Sequence, residues 1–373
     1  MTELLTRCRA LEASLDDDLD SIAARAQAVS DALARAQPSE VEEAAALLLP
    51  MVGDPDPFVA SLVAIMLGAA VERGLSPERV GPPIIRRVRE ELEQARPFHE
   101  ALVAHRLTEE EQQLPHEQIV QGADYAVPVR TARAIGETMP RAIDAFDALD
   151  RLCLPSIACM TRSPEIRAAA RADRALVDAA RGFRRDVGKW LYQLLVGDAD
   201  AEWIVLHPGE AKGFVVRAIE LNDNWGIQPL LAAALLELPP SRATTETPGL
   251  VGGLAGHPPS DTLIACLRGR GPQSARAHAS GLWETYTHLA IRPDGTLSES
   301  MLDHKIWNEG LPEDIPQLEG HRVIVLSPSQ ISRSWSATRS YDALGSDIRH
   351  LRTLSPAELR EWIDRCARAA RPS

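Results

Sequence analysis

Trp203-Ile-Val-Leu-His-Pro-Gly-Glu-Ala-Lys-Gly-Phe-Val-Val-Arg-Ala-Ile-Glu-Leu221 is the stretch on which the chain divides. Two apolar runs rich in β-branched residues flank a Pro/Gly turn at His207-Pro-Gly209, the pattern of a β-hairpin. Before it, Ala, Leu, Arg and Glu dominate, with apolar residues at helical spacing. After it, Trp, Gly and Pro become frequent, and six of the seven Trp residues lie beyond position 200. The sequence therefore predicts an α+β protein: an all-α domain over residues 1–197, then a smaller, mostly antiparallel α+β domain over 198–373.

Working outward from the hairpin, the polar stop Asn222-Asp-Asn224 precedes an apolar helix from about Ile227 to Leu238. Residues 239–259 are rich in Pro, Thr and Gly and read as a long loop. Further strands are expected at Thr262 to Leu267, at Leu282 to Ile291 before the turn Arg292-Pro-Asp-Gly295, and at His321 to Leu326. A last helix starts at the capping box Ser355-Pro-Ala-Glu358 and runs to about Ala370.

In the first half, Leu4, Cys8, Leu11, Leu15, Leu19, Ile22, Ala26, Val29 and Leu33 form an apolar seam, which predicts one long helix. Such a seam either lies along its own domain or joins two copies in a homodimer through residues 3–36. Capping boxes at Ser39-Glu-Val-Glu42 and Thr108-Glu-Glu-Glu111, with Ser76-Pro77 and Ser163-Pro164, mark further helix starts, about seven helices in all.

The segment Gly53-Asp-Pro-Asp-Pro-Phe-Val-Ala-Ser-Leu-Val-Ala-Ile-Met-Leu-Gly68 resembles the turn and second helix of a HEAT or armadillo repeat. Thr161-Arg-Ser-Pro-Glu-Ile-Arg-Ala-Ala-Ala170 is a second, looser instance. That resemblance implies a scaffold that binds other macromolecules. Ile306-Trp-Asn-Glu-Gly310, Asp314-Ile-Pro316 and Arg322-Val-Ile-Val-Leu326 are similar to stretches of uncharacterised bacterial proteins, which implies one integrated domain and no particular activity.

The net charge is −13, and residues from Ser260 onward hold 14 acidic against 14 basic groups, so the acid excess lies earlier. A nucleic-acid partner is not expected from this balance. Five scattered Cys and an N-terminus without a basic start and apolar core suit a reducing cytoplasm. Phe58 to Val71, the longest apolar stretch, is too short for a membrane span. Gly249 to Gly256 lacks the Lys-Ser/Thr of a phosphate-binding loop, and Cys153 and Cys159 have no partner pair at metal-site spacing, so neither a cofactor nor a metal is expected.

Acid–base or metal chemistry would draw on His288, Asp303, His304 and Glu309. Glu284, Tyr286 and His288 share a face if their segment is a strand. A second group is aromatic and polar: Trp307, Asn308, Arg333, Trp335, Arg339 and Tyr341. These residues either grip a peptide or planar ligand or plug a sheet edge. Asn222 and Asn224, between a strand and a helix, either cap that helix or line a binding loop. The sequence thus predicts a non-enzymatic cytoplasmic adaptor or scaffold for a protein or peptide partner. Its alternative is an enzyme or small-molecule-binding protein with its site in the C-terminal domain.

Overall fold

The 203–221 hairpin forms the middle of a mixed sheet in the computed structural model, which describes residues 2–122, 124–183, 186–236, 258–271, 277–298, 301–329 and 333–370. The chain separates into two compact units, Met1–Leu195 and Val196–Ser373. The first is mostly helical but holds one short strand pair, so the all-α expectation for 1–197 is not met strictly, and with strands and helices in the second the architecture is α+β.

The first unit holds α1 (Glu3–Glu12), α2 (Leu19–Leu33), α3 (Pro38–Leu48), α4 (Pro57–Glu72), α5 (Pro77–Ala104), a short antiparallel pair β1 (Ile119–Gln121) and β2 (Ala126–Pro128), then α6 (Val129–Thr138), α7 (Pro140–Arg162), α8 (Pro164–Ala172), α9 (Arg174–Arg181) and α10 (Asp186–Val196). Among the described residues ten helices therefore occupy the span where about seven were expected.

The expected long helix over 4–33 is two helices. Three consecutive Asp residues, 16–18, favour helix ends over helix interiors, and Asp18 caps α2 through the Ser21 N–H at 3.0 Å. The seam then folds onto itself: Leu4, Cys8, Leu11, Ile22, Ala26, Val29 and Leu33 are all buried within the unit. Leu19 is left 51% exposed.

Capping shifts the other starts as well. Glu40 accepts the Gln37 N–H at 3.0 Å, so α3 begins before Ser39. Thr108 and Glu111 do cap each other's N–H groups, at 3.0 and 3.3 Å, but only a single 3-10 turn follows before Pro115 ends it. Asp56 caps α4 through the Phe58 N–H at 2.8 Å. α4 then approaches α7 so closely that a β-carbon added at Gly68 would sit 2.6 Å from Pro155 Cβ.

The second unit contains β3 (Asp198–His207), β4 (Lys212–Leu221), α11 (Ile227–Leu236), α12 (Asp261–Leu267), β5 (Ala277–Ser280), β6 (Trp283–Thr287), β7 (Gln317–Leu318), β8 (His321–Pro328), β9 (Ser334–Ala337), β10 (Asp347–Thr353) and α13 (Pro356–Ala369). The main sheet runs β10-β4-β3-β8-β6, antiparallel except for β3 against β8, with β7 paired to β8. β5 and β9 form a separate two-stranded ribbon.

Apolar runs without polar alternation, such as 203–206 and 323–326, mean that both sheet faces are covered. Trp203, Val205, Phe214, Val216, Ile324 and Leu326 pack with α11, α12 and the ribbon. Ile204, Leu206, Val215, Val323 and Val325 pack with Leu359, Trp362 and Cys366 of α13.

The strand expected at Thr262 to Leu267 is instead the helix α12. Ser260 caps it by accepting the Leu263 N–H at 3.2 Å, and Leu263, Ile264, Cys266 and Leu267 give it a buried helical face. The strand expected over 282–291 stops at Thr287 and passes into a 3-10 turn. The predicted loop over 239–259 lies, except for its last two residues, outside the described residues. Among the described residues no helix is long and apolar enough to cross a membrane.

Candidate binding site at the start of α11

Between β4 and α11 the chain turns sharply, with Glu220 in the left-handed region at φ 49°. Asn222 closes that turn: its Nδ2 donates to the Glu220 carbonyl at 2.8 Å, and Ser346 Oγ donates to the same oxygen at 2.6 Å. Asn222 is thus a turn residue. Asp223 accepts the Gly226 N–H at 3.3 Å and the Ser340 hydroxyl. Burial pushes its carboxyl above the ordinary carboxylate range, against the pull of those donors.

Asn224 reaches across to another segment. Its Nδ2 donates to the Trp307 carbonyl at 2.9 Å and its backbone N–H to the Gly310 carbonyl at 3.1 Å. Its Oδ1 is buried without a hydrogen-bond partner among the described residues. A side chain at Gly310 would collide with this clamp, since an added β-carbon would lie 2.9 Å from Asn224 Nδ2.

The clamped segment docks on the edge of β6. Tyr286 and Lys305 form an antiparallel bridge, and the Ile306 N–H donates to the Thr285 carbonyl at 2.9 Å. Lys305 turns inward and pairs with Glu284, both side chains being buried. Trp307 is left 46% exposed, with Lys305 Nζ 5.3 Å and Arg333 Cζ 5.6 Å from its ring centroid. Both distances are within cation–π range.

Arg333 is held by its own carbonyl, which accepts the Gly281 N–H at 2.9 Å. A methyl at Gly281 would meet Arg333 Cβ and Gln228 Oε1 at 3.5 Å and the Trp335 ring at 3.6 Å, so these three groups surround one small space. Gln228 Oε1 and Trp335 Nε1 are buried without partners among the described residues. Asn224, Gln228, Trp307, Arg333 and Trp335 therefore gather around the start of α11.

The other expected residues fall elsewhere. Asn308 occupies the turn between Trp307 and Gly310. Arg339 lies by Gly269, and its Nε and Nη1 are buried without partners among the described residues. Tyr341 is buried and bridges to Leu344. Glu284, half of the expected acid–base face, is neutralised by Lys305.

Of the acid–base candidates, His288 lies beyond the end of β6 and is buried. Burial lowers its pKa, and the nearby His304 lowers it further, against a backbone contact at Pro316. Asp303 and Glu309 are exposed on turns. Among the described residues no three His, Cys, Asp or Glu side chains gather as a metal site. Gln228, within an apolar helix, carries no sequence signal for its place in this cluster.

Compared with protein-family models, with curated proteins and with solved structures, the chain gives no match in any of the three.

Proposed function

We propose that the chain is an adaptor whose C-terminal unit holds a peptide segment of a partner protein at Trp307. The observation that carries this reading is an exposed Trp with Lys305 and Arg333 at its ring, near buried polar atoms of Asn224, Gln228 and Trp335 that have no partner among the described residues. Aromatic anchors beside Arg, with amide groups to meet a backbone, are the usual content of a peptide-binding centre. Arg333 at the ring favours a peptide that carries carboxylates, Lys305 being already paired with Glu284.

Strand addition at the sheet edge is the less suitable mode. β10 is interrupted by a bulge between His350 and Arg352 and displays Arg349 and Arg352, features that discourage edge pairing. A cytoplasmic setting agrees with five free cysteines, all buried. The helical unit, with its HEAT-like turn and helix at 53–68, would then offer the second surface of a scaffold.

Selection from a displayed random peptide library on the full chain tests the reading. The expected result is a consensus that combines a carboxylate with an apolar or aromatic neighbour. Recovered sequences with nothing in common would count against it.

A further inference from the structure

We infer that the N-terminal unit carries a second, separate site: a groove between the 49–53 turn and α5 that binds a small organic oxyanion, with Arg87 as its anchor. The groove encloses about 480 Å³, within the size range of ligand pockets. One wall is apolar, built from Leu49, Pro50, Val52 and Pro83. The other carries Arg79, Arg86, Arg87 and Glu90.

Arg79 is engaged by Glu42 at 2.6 Å, whereas Arg87 is the unusual member. Only 6% exposed, it has Nε and Nη2 without hydrogen-bond partners among the described residues. Glu91 Oε1 stands 2.8 Å from Nη2, at ion-pair distance but outside hydrogen-bond geometry, and Glu91 Oε2 has no partner among the described residues. A buried guanidinium with unmade hydrogen bonds is stabilised by a carboxylate or phosphate oxygen, for which its planar fork is shaped. The apolar wall selects anions with a short hydrocarbon body over inorganic ones.

Titration calorimetry on the full chain, with hexyl phosphate, hexanoate, inorganic phosphate and hexylamine as probes, decides the matter. The two hexyl anions are expected to bind, inorganic phosphate more weakly, and hexylamine not at all. Arg87→Met should weaken hexyl phosphate by about tenfold or more. Because Arg87 is buried, a second variant protects the test: Gly53 lines the groove with nothing within 4 Å of an added β-carbon, so Gly53→Trp should block the groove while the denaturation midpoint stays unchanged. Millimolar anion giving no heat, hexylamine binding as well as hexanoate, or undiminished affinity in folded Gly53→Trp would each overturn the proposal.

Discussion

Lys305 and Glu284 form an ion pair inside the C-terminal unit, their side chains 6% and 7% exposed, and the same ammonium lies 5.3 Å from the centre of the exposed Trp307 ring. The Trp307 segment is thus fastened to the core through this cation as well as through its hydrogen bonds. Lys305→Met leaves Glu284 buried without a counter-charge and should lower stability by about 3–5 kcal/mol. Adding Glu284→Gln should recover a substantial part of that loss, a non-additivity read from urea denaturation of the two single variants and the double variant.

Asn224 ties the Trp307 segment to the start of α11 through two hydrogen bonds, one of them from its side chain. Asn224→Ala should destabilise the chain by about 1–3 kcal/mol, because the Trp307 carbonyl loses its donor. Denaturation curves of the variant would show the loss, and an unshifted midpoint would mean that the clamp contributes nothing.

Gly68 and Gly53 make a controlled pair. At Gly68 a methyl would meet backbone and side-chain atoms of Pro155 at 2.6–2.7 Å, so α4 and α7 must part. Gly68→Ala should therefore cost about 1–3 kcal/mol despite the better helix propensity of Ala. Gly53→Ala, into open space, should stay within about 0.5 kcal/mol of the parent in the same assay.

Acid should weaken the fold through His207. Its Nδ1 accepts the Glu210 N–H at 3.2 Å, and burial lowers its pKa from 6.5, with Glu210 pulling the other way. The unfolded chain takes up a proton that the folded chain resists, so this contribution is full above about pH 6.5 and is lost as the pH falls toward the folded-state pKa. His207→Asn, which keeps an acceptor at the cap, should show a flatter decline in urea midpoint between about pH 7.5 and 5.5. Parallel curves for the two proteins would exclude His207 as the cause.

The hairpin at 203–221 and the helix at 356–369 were legible because their signals are local: a turn between β-branched runs, and a hydroxyl and glutamate three residues apart. The break at 13–18 was hidden by an apolar period that continues across it, although Asp16, Asp17 and Asp18 carried the signal. α12 was misread as a strand because a five-residue apolar run has no period of its own, and Ser260 was the only local cue to a helix. Tryptophan content singles out the C-terminal half but does not separate core from surface. Trp203, Trp283 and Trp362 are core residues, and only the fold shows that Trp307 remains exposed. Gln228 and the Glu284–Lys305 pair depend on contacts between distant segments, which spacing cannot reveal.

The most direct test of the account is the affinity of a selected consensus peptide for the parent chain and for Trp307→Ala, measured beside their denaturation midpoints. An exposed side chain contributes little to folding, whereas an interface anchor contributes about 2 kcal/mol or more to binding. A loss of affinity of roughly thirtyfold with an unchanged midpoint is expected. Equal affinity in the two proteins would contradict it.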